Sequence, residues 1–430
     1  MESVVPYTGF AEVSNSDILA MKKEGYDCAR LAEAAAEHGT PLQVASRRKL
    51  EGNLALARET LRPFGWQDNI FYSYKTNPVP EVLKILHQGG AGAEVISERE
   101  LDLALSLGVP PDRIVFNGIY KSPAALGTAV ERGIRCVNID APQELEILSA
   151  LAGKTGRRVP VGLRVRPSVG WQGQFGFPIG DGSAREMARR ISAFKGLDLG
   201  VIHFHLGTSD FKAYRRAMDE TLGFIRELKQ NMDIGIKALD IGGGFPGRDM
   251  RMLALWEQAW LRFFDRPWPF KMPAPDDGFK VLGETADHFS RAVKKRGLEG
   301  LELWIEPGRL ITGDAQVLLV RVVALRRSGN VNYAIVDGGR VGAAAPLAGE
   351  TRRIRNLTSR PGQYARYDLV GPTCMPWDRL AAGVSLNKVE IGDIICIEGA
   401  GAYFVPLETE FSFNRPTFIL REPLNIHHLA

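Results

Sequence analysis

The sequence predicts an α/β fold: a TIM-type (β/α)8 barrel of parallel strands, with a second, all-β domain built from both chain ends. Three observations lead to this prediction. Strand-like and helix-like segments alternate from about residue 70 to 310, and their number is about the eight that closes a barrel. The chain after residue 310 has short β-like runs without helical periodicity. Reactive side chains follow several predicted strands, as they do at the C-terminal rim of such barrels.

The predicted barrel strands are short apolar runs, as expected for parallel strands that are buried on both faces. They are Ile70–Lys75, Ala93–Ser97, Arg113–Asn117, Arg135–Asp140, Val159–Arg166, Gly200–His205, Ala238–Gly242 and Glu302–Glu306. Helical patterns lie between them, and one begins with Ser97 and Glu100 at the spacing of a capping box. An open, doubly wound sheet is the competing architecture.

The all-β domain is predicted from runs that Gly, Pro and Asn residues separate. These runs are Val317–Val323, Tyr333–Val336, Tyr367–Val370, Ile394–Ile397 and Thr417–Leu420. The N-terminal run Pro41–Ala45 is expected to join their sheet, so residues 1–65 and 311–430 would form the β domain and residues 66–310 the barrel. An aromatic stretch at 256–270 interrupts the spacing. We expect it to pack on the barrel or a subunit partner, with a substrate lid as the alternative.

The overall composition excludes several classes of function. The chain has 430 residues, of which 45% are hydrophobic and 24% charged, and a net charge of +4 gives no reason to expect nucleic acid as a partner. No run approaches the roughly 20 apolar residues of a membrane span, and no secretory pattern is visible. The four cysteines have neither close pairing nor metal-type spacing. We therefore expect a soluble, cytoplasmic enzyme without a metal.

Four groups of residues at predicted strand ends, the histidines at 203 and 205 among them, suggest one shared site. A lysine at such a position is usually solvated, but Lys75 follows aromatic residues, and burial would lower the pKa of its amine and let it attack an aldehyde. Gly242–Gly244 offer backbone N–H groups to an anion without interference from Cβ atoms. Glu306 and Arg309 flank a Pro-Gly turn, where they form either a structural ion pair or a site in which the carboxylate faces a pyridine nitrogen.

The same residues allow other interpretations. Gly242–Gly247 also fits the dinucleotide pattern G-x-G-x-x-G, but Pro246 inside it and the lack of a clear helix after it argue against that site. His203 and His205 would share a face of a regular strand and could bind a metal, but no third ligand stands near. An inward His205, last on its strand, is either a hydrogen-bonded core residue or lies flat against a planar ligand. Together these groups suggest a site for a phosphorylated carbonyl cofactor.

In their order along nearly the whole chain, these motifs resemble the fold-type III pyridoxal-phosphate decarboxylases, which include ornithine and diaminopimelate decarboxylases. Lys75 matches the lysine that forms a Schiff base with the cofactor. The matched cofactor-binding residues are Glu94, His205, Thr208, Gly242, Gly243, Gly244, Glu306, Arg309 and Tyr403. The resemblance implies that His205 stacks on the cofactor ring, that Glu306 faces the pyridine nitrogen, and that the glycines with Thr208, Arg309 and Tyr403 bind the phosphate. Phe175-Gly176 matches a turn of the family.

The resemblance extends into the second domain. The sequence Gly371-Pro372-Thr373-Cys374 matches the motif of the catalytic cysteine, so Cys374 would donate a proton to the product carbanion. Without this context, a buried apolar cysteine would be the simpler interpretation. The family implies a head-to-tail homodimer, in which Cys374 serves the active site of the partner subunit.

The predicted substrate depends on where the chain departs from the family. Ornithine and diaminopimelate enzymes have an acidic residue after this cysteine, and it holds the distal ammonium of the substrate; here Met375 stands there. Removing one partner of a buried pair costs about 3–5 kcal/mol. Free ornithine, lysine and diaminopimelate are therefore disfavoured unless Asp337 or Asp378 replaces the missing acid. Tyr403 would also border the substrate.

The pattern Cys374-Met375-Pro376-Trp377-Asp378 is similar to the Cys-x-Pro-x-Asp of decarboxylases in siderophore and antibiotic pathways. The sequence therefore predicts a decarboxylase of a modified or conjugated amino acid, with diaminopimelate, ornithine, lysine or arginine as alternative substrates. A racemase or epimerase is a second alternative, but such enzymes usually place arginine at the pyridine nitrogen. A non-catalytic relative would tend to lose Lys75, Cys374 or the second domain.

Overall fold

A computed structural model describes residues 27–248, 250–252, 277–343, 350–358 and 364–421. Its helices, numbered along the chain, are α1 Cys28–His38, α2 Arg47–Leu61, α3 Pro80–Gln88, α4 Glu98–Ser106, α5 Pro123–Arg132, α6 Gln143–Thr155, α7 Ser183–Ala193, α8 Phe211–Met232, α9 Gly278–Lys295 and α10 Arg309–Thr312. Local sequence fixes several helix starts. Ser97 caps α4 by accepting a hydrogen bond from Glu100 N, and Ser122 caps α5 in the same way from Ala125 N.

The strands are β1 Leu42–Ser46, β2 Phe71–Ser73, β3 Gly92–Val95, β4 Ile114–Phe116, β5 Cys136–Ile139, β6 Val159–Arg166, β7 Phe177–Pro178, β8 Leu197–His203, β9 Ala238–Asp240, β10 Met250–Met252, β11 Glu302–Trp304, β12 Gln316–Ser328, β13 Val331–Val336, β14 Glu350–Arg352, β15 Ile354–Asn356, β16 Tyr364–Val370, β17 Arg379–Asn387, β18 Ile394–Ile397 and β19 Thr417–Arg421. They form two large sheets and the small pair β10–β14.

The first sheet is a nearly closed parallel barrel. Its strand order is β11-β9-β8-β6-β5-β4-β3-β2, and a parallel bridge between Ile70 and Ile305 brings the two edges together. All eight predicted barrel strands are confirmed, and the doubly wound alternative is wrong because the strands pair in chain order. Several strand boundaries differ by a few residues, and one of them bears on the site: β8 ends at His203, so His205 lies beyond the strand rather than last on it.

The barrel core joins the strands to the surrounding helices. Leu83, Phe116 and Leu163 are fully buried in this one cluster, and each such side chain contributes about 1.5–3 kcal/mol through burial. Leu50 and Leu54 of α2 belong to the same cluster. The predicted domain boundary at residue 65 stays a prediction, and this packing favours placing α2 with the barrel.

The second sheet has the strand order β15-β18-β12-β13-β16-β17, and β1 pairs with both β12 and β19. The N-terminal run predicted at Pro41–Ala45 therefore joins a sheet made from the C-terminal part of the chain, as expected. This sheet has a core of its own, which includes Leu318, Val336 and Leu369. Strands β15 and β17 of this sheet were not predicted.

The aromatic residues Trp256, Trp260, Phe263, Phe264, Trp268 and Phe270 lie outside the described residues. Among the helices that the structure describes, none combines the length and the apolar character needed to cross a bilayer.

Candidate active site

Lys75 lies in a short turn, Tyr74–Thr76, that directly follows β2. Its Nζ is 3.1 Å from Oε2 of Glu94, a fully buried residue of β3, and Ser73 Oγ donates a 2.5 Å hydrogen bond to the same oxygen. Burial lowers the pKa of the Lys75 ammonium, but the charges of Glu94 and Glu306 outweigh this effect and raise its pKa above the usual range. The expected lowering of this pKa is therefore wrong, because the rim surrounds the amine with carboxylates.

One amide connects the two carboxylates. Asn117, which follows β4, donates from Nδ2 to Glu94 Oε1 at 2.9 Å and to Glu306 Oε1 at 2.6 Å. Asn138 of β5 in turn donates to Asn117 Oδ1 at 2.7 Å. The amide thus holds side chains from different strands in one network. Asn117 was not among the residues predicted from the sequence, although its place at a strand end is the same signal by which the other rim residues were predicted.

Glu306 follows β11 and is 2% exposed. Besides Asn117, its neighbour is His203, whose Nε2 lies 3.5 Å from Glu306 Oε2. Burial alone would raise the pKa of Glu306, but His203 and Lys75 lower it, and the resulting pKa is below the usual range. Glu306 therefore remains a carboxylate in the interior of the barrel.

The triple glycine lies directly against Glu306 and His205. Gly242 and Gly244 have φ angles of +66° and +105°, a region that favours glycine. A Cβ on Gly243 would collide with the carbonyl oxygen of Glu306, and one on Gly242 would lie 2.7 Å from His205 Nδ1. Gly243 N donates to His205 Nδ1 at 3.3 Å. The sequence requires glycine here because the backbone passes too close to its neighbours for any side chain.

His205 is held as a neutral imidazole. Burial, and then the charge of Lys75, lower its pKa to about 3. The ring of Trp171 lies 5.4 Å from that of His205, and a Cβ on Gly207 would collide with the indole. Trp171 is 51% exposed, so it covers one side of His205 at the edge of the site. No sequence pattern singled out this tryptophan.

The remaining predicted cofactor residues lie at the same rim. The guanidinium of Arg309, the first residue of α10, is 5.2 Å from the ring centre of Tyr403. Thr208 Oγ1 accepts a hydrogen bond from Asp210 N, and a Cβ on Gly244 would lie 2.9 Å from the Thr208 carbonyl oxygen. The cradle of three glycines therefore has Thr208 beside it.

A seam of hydrogen bonds joins the lysine turn to the second domain. Tyr403 N donates to Thr76 O at 2.9 Å. Asn77 Nδ2 donates to Gly401 O at 3.3 Å and to Gln316 Oε1 at 2.8 Å. The predicted contribution of Tyr403 to a site on the barrel is compatible with this contact.

Residues 371–378, here called the cysteine loop, are built differently. Cys374 is exposed, so the interpretation as a buried apolar cysteine is wrong. Asp378 is 2% exposed and accepts hydrogen bonds from Thr373 N at 3.1 Å, Thr373 Oγ1 at 2.5 Å and Val341 N at 3.0 Å. These hydrogen bonds hold the loop, and the prediction that Asp378 binds the substrate stays a prediction.

Asp337 is engaged within the β domain. It accepts hydrogen bonds from Thr40 Oγ1 at 2.5 Å and from Arg321 N at 2.8 Å, and burial raises its pKa. Met375, next to Cys374, is half-buried. Related enzymes have an acidic residue at the position of Met375, and the structure favours neither Asp337 nor Asp378 as its replacement.

The site fits a phosphorylated carbonyl cofactor better than the alternatives. An amine, a glycine cradle and a buried carboxylate meet at one rim, as predicted. After Gly247 the chain enters β10 at Met250, so no helix opens there to complete a dinucleotide fingerprint. His203 was predicted to share a strand face with His205. In the structure it lies with Asp240 and Glu306, and one side-chain nitrogen or oxygen of each of these three residues is within 4.8 Å of the others.

Comparisons with known proteins agree with this geometry. Residues 47–313 match the family model described as pyridoxal-dependent decarboxylase, pyridoxal binding domain. The chain is 29% identical over 426 residues to the diaminopimelate decarboxylase of Aquifex aeolicus strain VF5, covering 96% of this chain and 92% of that protein. A crystal structure of an Aquifex aeolicus protein superposes with a TM-score of 0.77 at 29% identity, covering 91% of this chain and 89% of the other.

The fold itself is also shared with more distant structures. The crystal structure of the M. jannaschii diaminopimelate decarboxylase in complex with L-lysine has a TM-score of 0.79 at 24% identity, covering 93% of this chain and 90% of that one. Since the family model matches more than half of the chain, the protein belongs to the pyridoxal-dependent decarboxylase family.

The predicted enzyme class and cofactor are thereby confirmed: the chain is a pyridoxal-phosphate-dependent decarboxylase, a carbon–carbon lyase. The preference for enzymes of siderophore and antibiotic pathways is not supported. The relatives are diaminopimelate decarboxylases, which correspond to the alternative substrate class of the sequence analysis. The motif around Met375 was too short to outweigh similarity along nearly the whole chain.

Proposed function

We propose that this enzyme removes the α-carboxylate of a diamino acid of the diaminopimelate class as CO2. The observation that carries the decarboxylase chemistry is the hydrogen-bond network at the barrel rim. Lys75 Nζ donates to Glu94, and Asn117 donates to both Glu94 and Glu306. The similarity to diaminopimelate decarboxylases over 96% of the chain supports the substrate class. No other substrate class has comparable support from the comparisons named above.

Bound pyridoxal phosphate supplies an aldehyde that reacts with amines and a ring that accepts the electrons left when CO2 departs. Lys75 is the amine that would hold the aldehyde, and Glu94 is the acceptor at 3.1 Å toward which its ammonium points. Glu306, ionised and fixed by Asn117, would accept a hydrogen bond from the ring nitrogen. Such charge-assisted bonds contribute about 1.5–3 kcal/mol.

The phosphate would occupy the glycine cradle. Gly242–Gly244 present backbone to the site without Cβ atoms, and Thr208 stands beside them. Arg309 lies against Gly247, just after these glycines, and against the ring of Tyr403. His205, neutral because burial and Lys75 lower its pKa to about 3, would lie against the ring without adding positive charge. Tyr403 would complete the phosphate site from the second domain.

The exposed Cys374 supports a role outside its own barrel. The cysteine loop is closed on itself by Asp378 and presents the thiol outward. We propose a head-to-tail homodimer in which Cys374 reaches the site of the partner subunit and protonates the product. The predicted cytoplasmic location likewise stays a prediction.

A second substrate class is favoured by one specific observation. Met375 cannot pair with a distal ammonium, and Asp337 and Asp378 are both occupied by hydrogen bonds within the β domain. An amino acid with an uncharged or acylated distal end is therefore the second candidate.

A CO2-release assay with added pyridoxal phosphate decides between the two candidates. The panel comprises meso-diaminopimelate, L-lysine, L-ornithine and Nε-acetyl-L-lysine. We expect kcat/KM for diaminopimelate to exceed that for the acetylated substrate by about tenfold or more, which corresponds to about 1.4 kcal/mol. Higher turnover of the acetylated substrate would select the second candidate, and absence of CO2 with every amino acid tried would count against the proposed chemistry.

The variant Met375→Glu sharpens this assay. If the second candidate is correct, the new carboxylate should raise kcat/KM for diaminopimelate by about tenfold, whereas the neutral control Met375→Gln should not. If the wild-type enzyme already uses diaminopimelate, both variants should leave it the preferred substrate.

A further inference from the structure

Asp240 is a buried acid whose position ties two parts of the site together. It ends β9, two residues before the first of the three glycines, and is fully buried. Its Oδ1 accepts a hydrogen bond from Gly242 N at 2.9 Å, which shapes the turn into the glycine cradle. Its Oδ2 has no hydrogen-bond partner within the described part of the chain.

The groups around Asp240 are themselves ionisable. His203 lies opposite it in the register of β8 and β9, and Glu306 reaches the same space from the end of β11. One imidazole nitrogen or carboxylate oxygen from each of the three residues lies within 4.8 Å of the others, and none of the three residues is more than 2% exposed. Glu94 of β3 and the thiol of Cys136 of β5 are the further titratable groups that interact with Asp240.

The hydrogen bonds decide which acid keeps its charge. Glu306 receives the Asn117 N–H and faces both His203 and the ammonium of Lys75. Asp240 receives a single backbone N–H and has no cation of its own in direct contact among the described residues. Ionising both of two neighbouring carboxylates in a buried site costs a large electrostatic free energy. The carboxylate with fewer hydrogen-bond donors and cations around it therefore keeps a proton. Burial and the charge of Glu306 accordingly raise the pKa of Asp240 well above its usual range.

We propose that Asp240 is held as a neutral carboxylic acid at physiological pH, with its proton on Oδ2 toward Glu306 and His203. In this state it is a positioning residue with two effects. It fixes the glycine cradle without placing a negative charge beside the anion that the cradle binds. It also leaves Glu306 as the carboxylate that opposes the ring nitrogen.

The chain provides a matched control at Asp140, which follows β5 on the same rim. Asp140 Oδ2 accepts a hydrogen bond from Arg164 Nη1 at 2.9 Å, and its Oδ1 accepts one from Gly176 N at 2.7 Å. The side chains of both aspartates are buried, and each accepts a hydrogen bond from the backbone N–H of a glycine. Only Asp140 has an arginine against it, so only Asp140 should depend on its negative charge.

The first test compares Asp240→Asn with Asp140→Asn in the cofactor-free protein. Asparagine at 240 keeps the acceptor for Gly242 N and supplies an N–H donor in place of the proposed O–H. An acid with a raised pKa in the folded state binds more protons folded than unfolded, so wild-type stability should fall as pH rises above about 4. Asp240→Asn lacks this loss, so its melting temperature at pH 8 should exceed that of the wild type by about 1–3 °C.

The remaining outcomes of that test are equally defined. The advantage of Asp240→Asn should shrink toward pH 5, whereas Asp140→Asn should melt below the wild type at both pH values. An Asp240→Asn protein that is less stable than the wild type at pH 8, or that does not fold, would show that the charge is needed and would overturn the proposal.

The second test detects the proton directly. The infrared spectrum of the wild type at pH 8 should contain a C=O band of a protonated carboxyl group that shifts in D2O. This band should be missing from Asp240→Asn and retained in Asp140→Asn. If the wild type and Asp240→Asn have the same band, Asp240 carries no proton and the proposal is wrong.

Discussion

The barrel rim and the cysteine loop hold their functional side chains in opposite ways. At the rim, Lys75, Glu94 and Glu306 come from different strands, and hydrogen bonds that cross the barrel fix them in its interior. In the cysteine loop, Cys374 is exposed, and the one buried carboxylate, Asp378, serves to hold the loop. The proposed cofactor half of the site is thus built by the fold, whereas the proposed substrate half would be presented by a loop that is held by its own buried aspartate.

This difference has a physical basis. Displacing a rim residue would leave buried charges without partners, which costs several kcal/mol for each ion. The loop bears no such constraint at Met375 or at Trp377, which is 59% exposed. If the loop borders the substrate as proposed, substrate preference can change through these positions while the cofactor site stays intact, as loops on rigid scaffolds generally allow.

The largest expected effect tests the rim. Lys75→Ala removes the amine that would hold the aldehyde, so CO2 release should fall by on the order of 10³-fold or more. Absorbance of the bound cofactor in the visible range should be lost with it. Both quantities are measured on protein reconstituted with pyridoxal phosphate.

The matched control for this variant is Lys237→Ala. Lys237 also lies next to a barrel strand and pairs with Asp198 at 2.8 Å, but its side chain is 70% exposed. It should leave activity within about twofold, because such exposed pairs contribute roughly 0–1 kcal/mol. Equal losses in the two variants would contradict the assignment of Lys75.

A smaller effect should follow from changing the loop. Cys374→Ala should lower kcat by about 10²-fold, the typical contribution of a general acid, while cofactor absorbance and affinity stay as in the wild type. Cys28→Ala at the start of α1 is the control. Full activity of Cys374→Ala would remove the cysteine from the mechanism, and loss of cofactor binding would show that the loop and the rim are not independent.

The smallest expected effect is the dependence of stability on pH, which should appear near the lysine turn of the barrel and not in the cysteine loop. His87 Nδ1 donates to Ala91 O at 2.9 Å and Nε2 accepts from Tyr74 OH at 2.7 Å, so the ring is neutral next to the lysine turn. Burial lowers the pKa of His87 to about 4 from its ordinary 6.5. The folded state then binds fewer protons than the unfolded one, so stability is lost as pH falls from about 6.5 to about 4.

The expected loss is up to about 3 kcal/mol in the free energy of unfolding. Urea denaturation at several pH values measures it. His87→Gln should flatten the slope between these pH values whatever its stability at neutral pH, and an unchanged slope would assign the acid loss to other groups. Labelling of Cys374 with a thiol reagent should not follow the same titration, because the loop lies in the other domain.

Much of the fold could be predicted because parallel strands leave a clear signal. Most residues of runs such as Val159–Arg166 are apolar and buried, since barrel strands are covered on both faces. The reactive residues at their C-terminal ends were found for the same reason. Strand β17, Arg379–Asn387, was missed because it is mostly half-exposed and carries no alternating apolar pattern.

The buried polar network could not be predicted to the same extent. Whether Asn117 bridges Glu94 and Glu306 depends on how the barrel closes, and the sequence contains no record of that distance. The raised pKa of Lys75 follows from the same closure. Asp378 matched a family motif in the sequence, but its burial could not be predicted. That burial depends on a distant segment, since Val341 N donates a hydrogen bond to the Asp378 carboxylate.

The seam between Thr76 and Tyr403 has a consequence for synthesis in the cell. The turn that carries Lys75 is translated early, yet its backbone partners at 401 and 403 come more than three hundred residues later. A growing chain can therefore finish this turn only when almost all of the protein has left the ribosome. Pyridoxal phosphate should accordingly bind only after the chain is released from the ribosome, and fragments that end before residue 401 should fail to bind it.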